Sequence, residues 1–342
     1  MKSDQTAKVG RAVPSAPQPI PSAPGTARPT NMQANARPWS RFLWFFFLLA
    51  LVNLMWAGQG TAVKFLEGKL GPIAITFLPF YVTTILLVPL LVRERRRHAG
   101  AATVTWADWR KFIAAGVGGQ VLAQLGMTWG ITRSLASNAA ILNLLIPVIT
   151  AVLASFMLRE RITLLRIGCL LVGLAGVFLL SVEDLKQSAF LRASYLSGNL
   201  LILAGCLGSS FYNVYCKGLL QRYQEIEILI FSYLTASAAS LPLLVWVEPF
   251  HFSQLAALDW KGWTAFAFLA IFMYGLSMVL FFYVLQHLPV TVASASLYLV
   301  PVFGILLAAG FLHERLTSLA VAGTAIVLAS TILIMRWDKS AV

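Results

Sequence analysis

From residue 42 onward, charge disappears for about twenty residues at a time and returns in short clusters. The first such run, Phe42 to Val63, holds 22 residues without a charge. A helix needs about 20 apolar residues to cross the hydrocarbon core of a bilayer. Ten runs fit that length, near 42–63, 72–92, 112–132, 136–158, 163–182, 194–216, 228–247, 262–286, 288–312 and 316–335. The fifth carries Arg166 in its first turn, from where the side chain is expected to snorkel to the headgroups. The eighth and ninth are parted only by a few residues around His287 and Pro289. No ten-residue apolar/polar alternation of barrel strands occurs, so the predicted elements are helices, which satisfy their backbone groups internally.

The runs repeat. Around Pro147 the chain reads Ala-Ala-Ile-Leu-Asn-Leu-Leu-Ile-Pro-Val and continues to Arg159-Glu160-Arg161-Ile162-Thr163. Around Pro301 it reads Ala-Ser-Leu-Tyr-Leu-Val-Pro-Val and continues to His313-Glu314-Arg315-Leu316-Thr317. The offset is 154 residues from Pro147 to Pro301 and from Glu160 to Glu314. Lys64 and Lys217 echo each other in the same way, at offset 153. Ten spans then divide into two five-helix units, 41–182 and 193–336, flanked by an N-terminal tail at 1–40 and a short C-terminus at 337–342. An odd number of spans per unit makes the second enter the membrane from the opposite side, so the repeats are inverted. With the N-terminus inside, the cytoplasmic segments carry 19 basic residues and the outer ones 7, which predicts that both termini are cytoplasmic. Arg93-Glu94-Arg95-Arg96-Arg97 is the strongest single stop signal.

Two five-helix units, each with a proline, then Glu-Arg, then Thr before a final Gly/Ala/Leu-rich helix, resemble the EamA repeat of the drug/metabolite transporter superfamily. The resemblance spans about 42–336, and its best stretches are Asn138 to Leu180 and Ala293 to Met335. It implies a polytopic permease of the inner membrane. Members carry amino acids and other small metabolites, and some carry drugs, so the resemblance does not specify a cargo.

Composition agrees with lipid as the main solvent. Charged residues are 11% of the chain and hydrophobic ones 58%, against about 25% charged in soluble domains. The tail differs: seven of the fifteen prolines fall in residues 1–38, a composition expected to stay disordered. It is no cleavable signal, because the apolar run behind it exceeds the roughly 7–15 residues of a signal core. The net charge of +13 sits between apolar spans rather than along one surface, which argues against nucleic acid. Cys169, Cys206 and Cys216 lie in apolar runs with no disulfide or metal spacing and read as small packing residues. No metal or cofactor is expected. The expected partners are a small-molecule substrate and the bilayer, and a homodimer is left open.

The span cores lack Asp and Glu, so no mid-membrane carboxylate stands out as a proton carrier. The Glu-Arg pairs read first as helix-end turns pairing within themselves. Polar residues at similar depth are the substrate-cavity candidates: Asn53 and Trp56, Gln120 and Gln124, Asn143, Tyr212 and Asn213, Tyr274 and Ser277, Ser294 and Tyr298. Each alone could bond helix to helix; as a set over several spans they point to a central cavity. Pro147 and Pro301 each remove a helical N–H and free a carbonyl one turn back, which marks them as helix breaks and gating candidates. Neutral and aromatic candidates suit a neutral or zwitterionic solute. The expected function is a secondary transporter working by alternating access. The alternatives are a membrane-embedded enzyme, which would need convergent His, Asp, Glu or Cys, and a non-transporting sensor.

Overall fold

The computed structural model describes residues 39–97, 104–134, 136–180, 193–248, 250–312 and 318–338. Almost all of them are helical, and among them the only β pairing is an isolated bridge between Glu67 and Leu70. The elements are α1 (Trp39–Val63), α2 (Pro72–Arg97), α3 (106–132), α4 in two pieces, Ala136–Asn143 and Ile146–Met157, and α5 (Leu164–Leu180). Then come α6 (Ala193–Leu219), α7 (Glu225–Val247), α8 (Trp260–His287), α9 (290–312) and α10 (Ser318–Trp337). A short helical turn, Phe252–Ala256, links α7 to α8. Six of these helices, α1, α2, α7, α8, α10 and the Val290–Leu307 part of α9, are long and apolar enough to cross a membrane. The apolar stretches Ile141–Met157 and Leu164–Leu180 are shorter.

The surface explains the composition. Phe47, Leu86, Leu171, Leu200, Leu241 and Leu333 all face outward, exposed along the length of their helices. A soluble protein does not carry so continuous an apolar exterior; here it is the face toward lipid. Exposed tryptophans stand at helix ends: Trp39, Trp106 and Trp337, and Trp246, Trp260 and Trp263. Such amphipathic rings belong at the headgroup level. The chain is a multi-pass membrane protein.

The helices pack in matched pairs. α1 lies against α8 and α9, and α6 lies against α3 and α4. α2 packs on α7 and α8, while α7 packs on α2 and α3; α4 meets α9, and α5 meets α10. The α3–α6 contact is close enough to need glycine on both sides. A Cβ added at Gly126 would sit 2.6 Å from the Gly205 nitrogen, so two glycines let the backbones touch.

Two expectations need correction. Arg166 does not snorkel. It is 1% exposed and ion-paired to Asp338 at 2.6 Å and to Glu160 at 3.1 Å, because Asp338 at the end of α10 and Glu160 beyond α4 converge on the first turn of α5. Nor does Glu160 pair with Arg161, whose backbone carbonyl instead accepts from Arg166 at 3.1 Å. The tail through residue 38, the Glu314-Arg315 turn and the last four residues lie outside the described residues, as does the Lys64 side chain.

Candidate functional site

Among the described residues regular α-helix also lapses at Gly58 in α1 and in the π turn Leu243–Val247 that ends α7, but four departures match across the repeat. α3 winds as a wider π-helix through Ala114–Val121, and α8 does the same through Phe268–Leu276, 154 residues on. α4 breaks at 144–145, with Pro147 in the first turn of its second piece. α9 tightens into a 3₁₀ turn at Ser296–Tyr298, just before Pro301. The break before Pro147 follows from its missing N–H and its ring, which exclude a normal turn there. The carbonyls around the break find donors on α6: Cys206 Sγ reaches Leu142 O at 3.5 Å, and Ser210 Oγ donates to Ile146 O at 3.2 Å. In hydrocarbon, irregular backbone persists only where protein or a polar cavity surrounds it, and π segments recur at functional sites.

Polar side chains gather at these breaks and join one repeat to the other. On α1, Asn53 Nδ2 donates to Leu49 O at 2.6 Å and to Ser296 Oγ on α9 at 3.0 Å. Its Oδ1 is buried without a hydrogen-bond partner. One turn on, Trp56 Nε1 donates to Ser277 Oγ on α8 at 2.9 Å, and the indole meets Phe281 edge-on at 5.1 Å. Ser277 in turn donates to Met273 O. The other repeat has a counterpart. Cys206 on α6 replaces Asn53 at offset 153, and its Sγ lies 3.5 Å from Asn143 Oδ1 on α4, whose mate at the 154 offset of the prolines is Leu297, the neighbour of Ser296. Asn143 Nδ2 also approaches Met127 Sδ at 3.8 Å. Deeper on α6, Tyr212 shares a 2.9 Å hydrogen bond with Ser232 on α7 and is approached by Gln120 from the π segment of α3.

The remaining candidates are placed less centrally. Tyr274 is buried beside Phe80, with ring centroids 4.2 Å apart, and its hydroxyl is approached by Gln59. Gln124 and Asn213 are half-buried. Ser294 is fully buried and bonds its own helix at Thr291 O, 3.1 Å. Tyr298 points away from α1 toward α5 and α10. A Cβ at Gly173 would lie 2.6 Å from its ring and 2.9 Å from Ser330 Oγ, and the Tyr298 hydroxyl is buried with no hydrogen-bond partner. Pro147 is buried and Pro301 half-buried. Sequence reasoning passed over Cys206, Gln59, Ser210, Ser232 and Ser296. Reading Asn53 together with its mate 153 residues on would have found Cys206.

The helix ends at one side are tied across the repeats. Glu160, just past α4, accepts from Val290 N at 2.8 Å, from Thr291 Oγ1 at 2.8 Å and from Thr291 N at 3.4 Å, all at the start of α9. Within the second repeat, Lys217 donates to the last carbonyls of α8, Leu285 O and Gln286 O. At the other side Glu248, past α7, accepts from Ile73 N at 3.0 Å and Ala74 N at 2.9 Å at the start of α2. Carboxylates at helix starts and a lysine at a helix end match the sign of the helix dipole at each place.

Comparison with known proteins gives this architecture a family. The EamA-like transporter family model matches residues 43–182 and again 196–336. An uncharacterized transporter of Archaeoglobus fulgidus is 26% identical over 85% of this chain and 98% of its own length. A probable terminal-alkyne amino-acid exporter of Streptantibioticus cattleyicolor is 26% identical over 84% of this chain and 92% of its own. An S-adenosylmethionine uptake transporter of Rickettsia conorii is 24% identical over 86% and 93%. A solved crystal structure superimposes with a TM-score of 0.70 at 18% identity, covering 85% of this chain and 96% of that one, and so shares the fold. The matched breaks, the lipid-facing exterior and both family matches place the chain among membrane transporters of the drug/metabolite superfamily, as a member of the EamA-like transporter family.

Proposed function

We propose that the chain is a ten-span secondary carrier of two inverted five-helix repeats, 41–182 and 193–336. It lies in the inner membrane with both termini cytoplasmic and moves amino acids or related neutral or zwitterionic solutes by alternating access. The observation that carries this is the matched set of mid-helix breaks, two per repeat, with polar side chains of both repeats meeting beside them. Discontinuous helices at a repeat interface are how secondary transporters expose backbone dipoles to a solute. The paired packing of α1 on α8 and α9, and of α6 on α3 and α4, supports a two-fold relation between the halves. The basic asymmetry of 19 to 7 supports the orientation. The names of two relatives, an amino-acid exporter and an S-adenosylmethionine uptake transporter, support a solute with an amino-acid portion.

The solute meets side chains that are polar but uncharged. Asn53 and Asn143 offer amides, Trp56 an indole, and Tyr212 a hydroxyl; Pro147 and Pro301 set the breaks about which the halves rock. Purified protein in sealed vesicles, challenged with each labelled L-amino acid in counterflow, tests the assignment. Accumulation that Trp56→Phe weakens several-fold supports it, since that variant removes the 2.9 Å bond to Ser277 and keeps an aromatic ring. Vesicles that accumulate none of the twenty overturn the solute class.

A further inference from the structure

We infer that Glu160 is a latch: its carboxylate holds shut the mouth of the carrier at the Arg159–Arg166 side, and its release is required for the site to open there. This rests on the carrier mechanism proposed above. The two broken helices, α4 and α9, are the elements whose rocking would open a path, and Glu160 joins the end of one to the start of the other. Three of its four acceptor contacts go to the opposite repeat, at Val290 N, Thr291 Oγ1 and Thr291 N. None of these donors belongs to its own five-helix unit, so the two halves cannot part at this end while the contacts last.

The surroundings hold the carboxylate aimed. Arg166 donates to its Oε2 at 3.1 Å and is itself held at 2.6 Å by Asp338. The first turn of α9 adds the favourable end of a helix dipole. The backbone directs it too. Arg159, immediately before Glu160, has φ 55, a left-handed conformation that a residue with a side chain adopts at a cost. Glycine is usual at such a helix end. A bend held there against preference points the next residue out of line with α4, and that residue is the one reaching α9. Pure capping of α9 would not need a residue from the other repeat. The neighbouring Ser, Thr, Asp or Asn position could serve, yet that position is Pro289.

The test reads which mouth is open. Ser294→Cys reports the Glu160 side and Thr61→Cys the opposite side. Each is labelled with a membrane-impermeant maleimide in vesicles of matching orientation, against the background of the three buried native cysteines. Glu160→Ala removes the latch from one side. Val290→Pro with Thr291→Val removes its two 2.8 Å contacts from the other side and leaves only the 3.4 Å one to the backbone at 291: the first helical position accepts proline, and Pro289 with ψ 144 already has the extended backbone that must precede one. Both variants should speed labelling at 294 about tenfold, the scale of losing hydrogen bonds to a charged group, and slow labelling at 61. That reciprocal change is a shift between two states. Faster labelling at both positions, or no change at either, overturns the latch and leaves Glu160 a simple cap. If Glu160→Ala does not fold, the double variant decides alone. Counterflow of labelled amino acids by the unaltered protein is measured beside it. A protein that moves none yet shows the reciprocal labelling refutes the solute assignment and not the latch.

Discussion

Tyr298 and Trp56 share a chemistry class but occupy different surroundings, and the difference decides what each substitution should do. Tyr298 is 1% exposed and fills the hollow left by Gly173, with its hydroxyl unpaired among α5 and α10. Burying a hydroxyl with no partner costs about 1–3 kcal/mol. Tyr298→Phe should therefore leave transport intact and raise the melting temperature in detergent, while Tyr298→Ala should lower it sharply through the cavity it leaves. A transport defect in Tyr298→Phe at unchanged stability would return this hydroxyl to the solute site. Trp56 is half-buried and its one polar atom is engaged across the repeat by Ser277, so its loss should appear in affinity before it appears in stability. Sequence position put both residues at one depth but did not give the azimuth: α9 turns through a 3₁₀ segment at Ser296–Tyr298 and rotates everything after it. A helical wheel drawn with 3.6 residues per turn misplaces Tyr298 for that reason.

At the scale of the helix, close approach and end chemistry carry the tests. Gly126 and Gly205 let α3 and α6 touch. A methyl at Gly126 would press on backbone rather than on a flexible side chain, so Gly126→Ala should destabilise by about 1–3 kcal/mol, seen as a lower melting temperature. Gly168, which has nothing near its added Cβ, should accept alanine freely and is the control. The start of α3 is held by Asp108, ahead of the apolar stretch. The Tyr223 hydroxyl, then the Thr105 N–H and hydroxyl, then Lys111 hold its carboxyl well below the usual carboxylate range. A carboxyl depressed on folding contributes stability that is fully present above its unfolded value, near 4, and is lost as pH falls through the lower folded value. Asp108→Asn should thus melt earlier than the unaltered protein at pH 7, and the gap should close as the pH falls below about 4. A gap that persists unchanged in acid would mean the amide fails for shape and not for charge. The apolar helices and their order were legible from the spacing of apolar runs. The π segments were not, because nothing in residue type alone distinguishes a turn closed at i+5 from one closed at i+4. The ion pair of Arg166 with Asp338 was hidden too, since it joins residues 172 apart in the chain.

For the molecule as a whole, the exterior and the charge count make a topology that fusions can check. Reporters fused at Lys69, Arg133 and Lys261 should read outside, and those at Arg96 and Arg222 inside; an outside signal at Arg96 would reverse the proposed orientation. The proposed inversion of the repeats bears on how a solute lies between them. Two halves related by a two-fold axis form a site that would look the same to a solute and to that solute turned end over end. A perfectly duplicated site therefore offers a small chiral molecule two equivalent poses and favours neither. This chain departs from duplication at the helix breaks: Asn53 of the first repeat faces Ser296 of the second, while Cys206 of the second faces Asn143 of the first. An amide–hydroxyl pair hydrogen-bonds well, while a thiol is a weak donor and a weak acceptor. The departure lifts the degeneracy. It would give a bound solute a head and a tail, so that analogues blocked at the amino end and at the carboxyl end should compete unequally with the parent solute. Cys206→Asn, which puts an amide at both positions, should narrow that inequality in competition uptake without abolishing transport.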